Sequence, residues 1–119
     1  VNYVKETGID ALAPAVGSLH GIYLTEPKIN FEVIRNIKNA TKVPLVLHGG
    51  SGLSNDILKR CVAFGITKIN INSDLQDAWS KAVRVYLQEN EEIIDPRKII
   101  SSGMDSLRRE IRLKININN

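Results

Sequence analysis

Cysteine occurs once in this chain, histidine twice, and aromatic residues make up only 5% of it. The lone Cys61 excludes an intrachain disulfide, and with it the pattern expected of an oxidising compartment; a reducing, cytoplasmic setting fits. Sixteen Lys and Arg are interspersed among thirteen Asp and Glu, for a net charge of +3. With so few rings to stack on, that balance argues against a nucleic-acid surface, which needs a basic stripe with interleaved aromatics. No apolar run approaches the ~18 residues of a membrane span, and the opening "VNYVKETG" has no basic stretch followed by an apolar one. Neither a nucleic acid nor a membrane is therefore expected as a partner. What is present is 43% hydrophobic and 24% charged residues, the composition of one globular unit built on one core. The chain opens on Val1 rather than methionine, which leads us to expect a truncated start.

Three short apolar runs, Ala11 to Val16, Val43 to Leu47 and Thr67 to Ile71, read as strands bounded by Gly, Asn or Ser. Helical spacing fills the intervals. Asn30 is placed to cap a helix striped by Phe31, Ile34 and Ile37, and Pro44 sets a boundary beyond Thr41. Ser54 is placed to cap a second, striped by Ile57, Leu58, Cys61 and Phe64 and stopped by Gly65. A longer helix begins near Ser73 or Asp74, its core face carrying Trp79 and Tyr86. In "DPRK", Asp95 caps and Pro96 opens a last helix striped by Met104, Leu107 and Ile111, with "NINN" fraying at the end. Strand, helix, strand, helix, strand, helix calls for an α/β fold with parallel strands and right-handed crossovers. Three strands cannot close a barrel, which needs eight, and the apolar edges "ALAPAV" and "KININ" would invite pairing with another chain.

In such folds the chemistry gathers where strands end and loops run into helices. His20, His48 and Asn70 are all expected at that end of their strands. Two imidazoles on neighbouring strand ends can converge on one divalent ion, and a third ligand with an open position would make that site catalytic. Neither a third histidine nor a suitably placed cysteine is present. "HGGSG", His48 to Gly52, leads straight into a helix, so its N–H groups and the Ser51 hydroxyl could cradle a phosphate. "NINS", Asn70 to Ser73, repeats the plan with an amide, N–H groups and a hydroxyl. Taken singly these features have plainer readings: a packed or solvated histidine, a tight glycine turn. Lys68 suits a structural role better than a Schiff-base one, because it shares a strand face with Asn70 and Asn72. The basic run Arg108, Arg109, Arg112 and Lys114 reads as a solvated helix face.

"AVGSLHGIY", "PLVLHGGSGL", "KININSDLQ" and "DPRK", in this order and spacing, resemble the class II, metal-dependent fructose-bisphosphate and tagatose-bisphosphate aldolases over essentially the whole chain. The resemblance implies that residues 1–119 are the C-terminal part of a single (β/α)8 barrel domain, its last three βα units and C-terminal helices, with the upstream half absent. By it, His20 and His48 match two of three metal-ligand histidines, and Gly21, Gly49, Gly50, Ser51, Asn70, Ile71, Asn72 and Ser73 match the loops that hold dihydroxyacetone phosphate. Ser73 stands where the family commonly has threonine and keeps the hydroxyl. The implied cofactor is Zn2+ or another divalent metal, with a monovalent cation as a further candidate. The implied partners are a small phosphorylated sugar and further copies of the chain, as a dimer or larger homo-oligomer. The activity implied is reversible cleavage of a ketose 1,6-bisphosphate to dihydroxyacetone phosphate and glyceraldehyde 3-phosphate. The family's catalytic aspartate and third histidine lie upstream of His20, where this chain supplies no equivalent; Asp10 precedes its strand and belongs at the other end of the barrel. No catalytic acid/base is therefore expected among these residues. The rival expectation is a half-barrel without turnover, acting as a phosphate-binding or assembly module.

Overall fold

A computed structural model describes residues 1–21, 23, 25 and 27–117. The order is α1 (Asn2–Thr7), α2 (Phe31–Thr41), β1 (Leu45–Leu47), α3 (Asn55–Phe64), β2 (Ile66–Ile69), α4 (Ser73–Glu89), α5 (Pro96–Ser102) and α6 (Met104–Ile117). The chain divides into two compact units, Val1–Ile71 and Asn72–Ile117.

The first unit is built on β1 and β2, which pair in parallel with Val46 beside Lys68 and Leu47 beside Ile69. All three residues of β1 are buried, so the strand is a core element despite its length. The caps expected from sequence form: the Asn30 side chain accepts from the Val33 N–H, and that of Ser54 from the Ile57 N–H. Gly65 closes α3 at φ 123°. Helices α2 and α3 meet along the two expected stripes, with the Phe31 and Phe64 rings 5.3 Å apart. The Arg60 and Arg35 guanidinium groups lie over those rings, 3.9 Å from Phe31 and 4.4 Å from Phe64. Ile34, Leu58 and Cys61 sit beneath them, essentially inaccessible.

Several expectations need correction. The strand expected over Ala11 to Val16 shrinks to one parallel bridge between Leu12 and Leu45. Leu12 donates to the Pro44 carbonyl and accepts from the Val46 N–H, both at 2.9 Å, but Pro14 has no N–H to continue the ladder. His20 consequently occupies a loop rather than a strand end. The strand expected over Thr67 to Ile71 stops at Ile69, leaving Asn70 and Ile71 in the connection. Helix α1, ended by Gly8 at φ 65°, is short, largely exposed, and was not expected.

In the second unit the single final helix is two. The two meet at Gly103, where the chain passes so close to Trp79 that a Cβ would lie 2.4 Å from the indole. Trp79 is half-buried rather than core, and its N–H donates to the Ile100 carbonyl at 3.1 Å. Tyr86 is also half-buried, and Val83 is the buried residue of α4. Helix α6 remains regular to Ile117; the expected fraying of "NINN" falls partly on Asn118 and Asn119, outside the described residues.

Candidate functional site

His48 follows β1 at once, so the buried strand delivers it to the surface, where it is exposed. The loop behind it is shaped by two glycines. Gly49 has φ 67°, and a Cβ there would lie 1.9 Å from the Leu19 carbonyl oxygen, so only glycine lets the loop carrying His20 approach so closely. At Gly50 a Cβ would meet the Ile69 side chain at 2.5 Å. The Gly50 N–H donates to the Asn70 carbonyl at 3.0 Å, and the Asn70 N–H donates to the Leu47 carbonyl at 2.9 Å. Both backbone groups of Asn70 are thus engaged in clamping the glycine loop to the end of β2. Ser51 is buried at 4% exposure, while Gly21 is exposed at φ 99° with no other group near its missing Cβ.

His20 is exposed, yet its loop is anchored by a residue that the sequence did not single out. The Tyr23 hydroxyl lies 2.8 Å from the Leu19 N–H, the Leu19 carbonyl and the Gly49 carbonyl, joining the two histidine loops at one point. No periodicity marks a lone tyrosine in a loop, so only its place in "HGIY" could have drawn notice. The outcome is that the His20 and His48 rings face each other edge to face, with centroids 5.5 Å apart and planes at 61°. Beside them, the Asn70 amide nitrogen is 3.3 Å from His48 Nδ1 and 3.5 Å from Nε2. The Lys68 ammonium donates to Asn70 Oδ1, which turns the NH2 group of the amide toward the imidazole. Lys68 is exposed and supports Asn70, in keeping with the structural role expected for it.

Ile71, half-buried, ends the first unit, and Asn72 and Ser73 open the second as the N-cap and first residue of α4. The Asn72 carbonyl accepts from the Leu75 and Gln76 N–H groups at 3.0 Å, so the helix starts cleanly, and its first amides and dipole favour an anion. Asn72 is exposed and Ser73 half-buried.

Among the described residues, no group of three or more His, Cys, Asp or Glu could by itself hold a metal ion. The pair His20 and His48 is nevertheless suited to one: two adjacent imidazoles are the donor chemistry that Zn2+ and similar borderline ions prefer.

Along residues 1–119 the sequence matches the family model described as fructose-bisphosphate aldolase class-II. The chain belongs to that family. It is 46% identical over 108 residues to the fructose-bisphosphate aldolase of Geobacillus stearothermophilus, covering 91% of this chain and 38% of that protein. It is 44% identical over 112 residues to the fructose-bisphosphate aldolase of Staphylococcus aureus (strain Mu50 / ATCC 700699), covering 94% and 39%. Among solved structures it resembles the YdjI aldolase of Escherichia coli K12, with a TM-score of 0.76 and 33% identity over 99% of this chain and 42% of that one. A putative fructose-1,6-biphosphate aldolase from Coccidioides immitis shares the fold, with a TM-score of 0.82 at 24% identity over 98% and 40%. The chain therefore spans about two-fifths of the length of its class II aldolase relatives. Its α/β architecture is a portion of their (β/α)8 barrel.

Proposed function

We propose that this chain carries part of the metal site and the phosphate loops of a class II ketose-bisphosphate aldolase, which reversibly cleaves fructose or tagatose 1,6-bisphosphate. The observation that carries the reading is the pair of exposed imidazoles, His20 and His48, 5.5 Å apart on loops joined by Gly49 and Tyr23. These two would hold Zn2+ or a similar divalent ion; when bound, such an ion polarises a carbonyl and stabilises negative charge on its oxygen. The residues themselves bind and orient. The Asn70 NH2 group, fixed by Lys68, offers a donor beside His48 for a ligand oxygen. Gly21, Gly49, Gly50 and Ser51 supply close-approach backbone and a hydroxyl, and Ile71, Asn72 and Ser73 lead into the positive end of α4, suited to a phosphate. A monovalent cation beside that phosphate belongs to the same reading.

Proton transfer during cleavage needs an acid/base group, and the ion needs a third ligand; neither role is given to a residue of this chain. Residues 1–119 are read as the C-terminal part of one barrel domain, in a cytoplasmic homo-oligomer of two or more copies. The alternative reading is a phosphate-binding or assembly module without turnover.

The test is a Zn2+ competition titration of the chain and of His20→Ala and His48→Ala, alongside a cleavage assay on both bisphosphates with and without chelator. The proposal expects each substitution to weaken Zn2+ binding by about tenfold or more, and chelator to abolish any cleavage. Unchanged Zn2+ affinity in both variants, or cleavage that persists in excess chelator, would overturn it. Zn2+ and phosphate binding without cleavage by this chain alone fits both readings; cleavage that appears when the upstream part of a class II relative is supplied selects the aldolase, and none then selects the module.

A further inference from the structure

Lys114 departs from the basic run in which the sequence placed it. Where Arg108, Arg109 and Arg112 are exposed, the Lys114 side chain is only 17% accessible. Its ammonium lies 2.6 Å from the Asp74 carboxylate and 3.5 Å from Glu110 of its own helix, and both carboxylates are themselves mostly covered. Asp74 sits in the first turn of α4, immediately after Asn72 and Ser73. A carboxylate there suits the helix dipole, but it also stands in the turn where the dipole and the Ser73 hydroxyl would receive a phosphate, and like charges oppose each other.

From this geometry we infer that Lys114 is a positioning residue for the phosphate loop. It ties α6 to the first turn of α4 and neutralises Asp74, so that the helix end attracts an anion instead of presenting a carboxylate to it. The inference rests on the phosphate-binding reading of Asn72 and Ser73 given above. It adds a requirement that the loop motif does not contain: a cation from a helix forty residues downstream in sequence, acting through Asp74 and not by touching the phosphate.

The experiment is a titration of the 15N-labelled chain with inorganic phosphate, following the Ser73 amide, in the unsubstituted chain, Lys114→Met, Asp74→Asn and the double variant Asp74→Asn/Lys114→Met. Lys114→Met should weaken phosphate binding by roughly fivefold, because it removes the cation that offsets the Asp74 charge at the helix end. The double variant should return to within about twofold of the unsubstituted chain, which a merely structural tie would not do. Asp74→Asn alone should bind at least as tightly as the unsubstituted chain, a comparison that stands even where Lys114→Met fails to fold. Equal affinity in Lys114→Met, a double variant as weak as Lys114→Met, or weaker binding by Asp74→Asn would overturn the inference while leaving the phosphate loop in place. A Ser73 amide silent to phosphate in the unsubstituted chain would overturn the phosphate reading and this inference with it.

Discussion

Gly21 and Gly49 both sit in the left-handed region, at φ 99° and 67°, but only one is crowded, so a pair of alanine substitutions separates backbone strain from close approach. Around Gly21 a Cβ would meet nothing within 4 Å, so Gly21→Ala should cost only the conformational term, about 1–2 kcal/mol. Gly49→Ala carries the same term and also places a methyl group 1.9 Å from the Leu19 oxygen. Because contacts under 3.0 Å are not tolerated, the Leu19 peptide must retreat by more than about 1 Å. Leu19 immediately precedes His20, and both its backbone groups are held by Tyr23, so the retreat carries the His20 ring away from His48. Metal–ligand distances tolerate only ~0.2 Å, and we expect Zn2+ affinity to fall about tenfold or more in Gly49→Ala, or ~1.4 kcal/mol, against little change in Gly21→Ala. Urea unfolding gives the stability difference and competition with a chromophoric chelator the affinity. Equal Zn2+ affinity in the two variants would refute the claim that close approach at Gly49 brings the histidines together.

Burial pushes the Cys61 thiol up to about 11, against a small opposing pull from Arg60. The folded state therefore favours the neutral thiol, and its contribution, complete below pH ~9 where the unfolded thiol begins to ionise, should be lost as pH rises from 9 toward 11. Cys61→Ala should flatten that part of the urea-midpoint profile, and at pH 8 a thiol reagent should label the chain only once it unfolds. Leu58, 1% accessible in the core face of α3, should cost about 2–5 kcal/mol as Leu58→Ala, whereas the exposed Val62→Ala on the same helix should stay within about 0.5 kcal/mol. Hydrogen bonds from the Arg97 side chain, and then its backbone, hold the Asp95 carboxyl below the usual carboxylate range. The cap on α5 should thus be intact above that range and be lost as pH falls through the lowered value, seen as faster amide exchange in α5, and Asp95→Asn should remove the dependence.

Much of this chain was legible as sequence because the signals were local. Asn30, Ser54, Gly65 and Asp95 fix helix ends through side chains and φ angles that need no distant partner, and all four act as read. The stripes of α2 and α3 likewise declared the face on which they pack. The run "ALAPAV" misled because strand length depends on which neighbour completes the ladder, and Pro14 lets Leu12 alone pair with β1. The close approach of Gly103 to Trp79 was invisible because the two lie twenty-four residues apart in sequence. The same division runs through the site. His20, His48 and the glycine loops were named from their motifs alone, since their residue types carry the chemistry. That a tyrosine hydroxyl and an unsubstituted Gly49 bring two imidazoles to 5.5 Å, or that Lys114 folds back onto Asp74, depends on contacts between segments far apart in the chain. Residue type and spacing picked out the groups proposed here for a metal and a phosphate; tertiary packing decided which side chains meet, because only packing sets distances between residues that the sequence keeps apart.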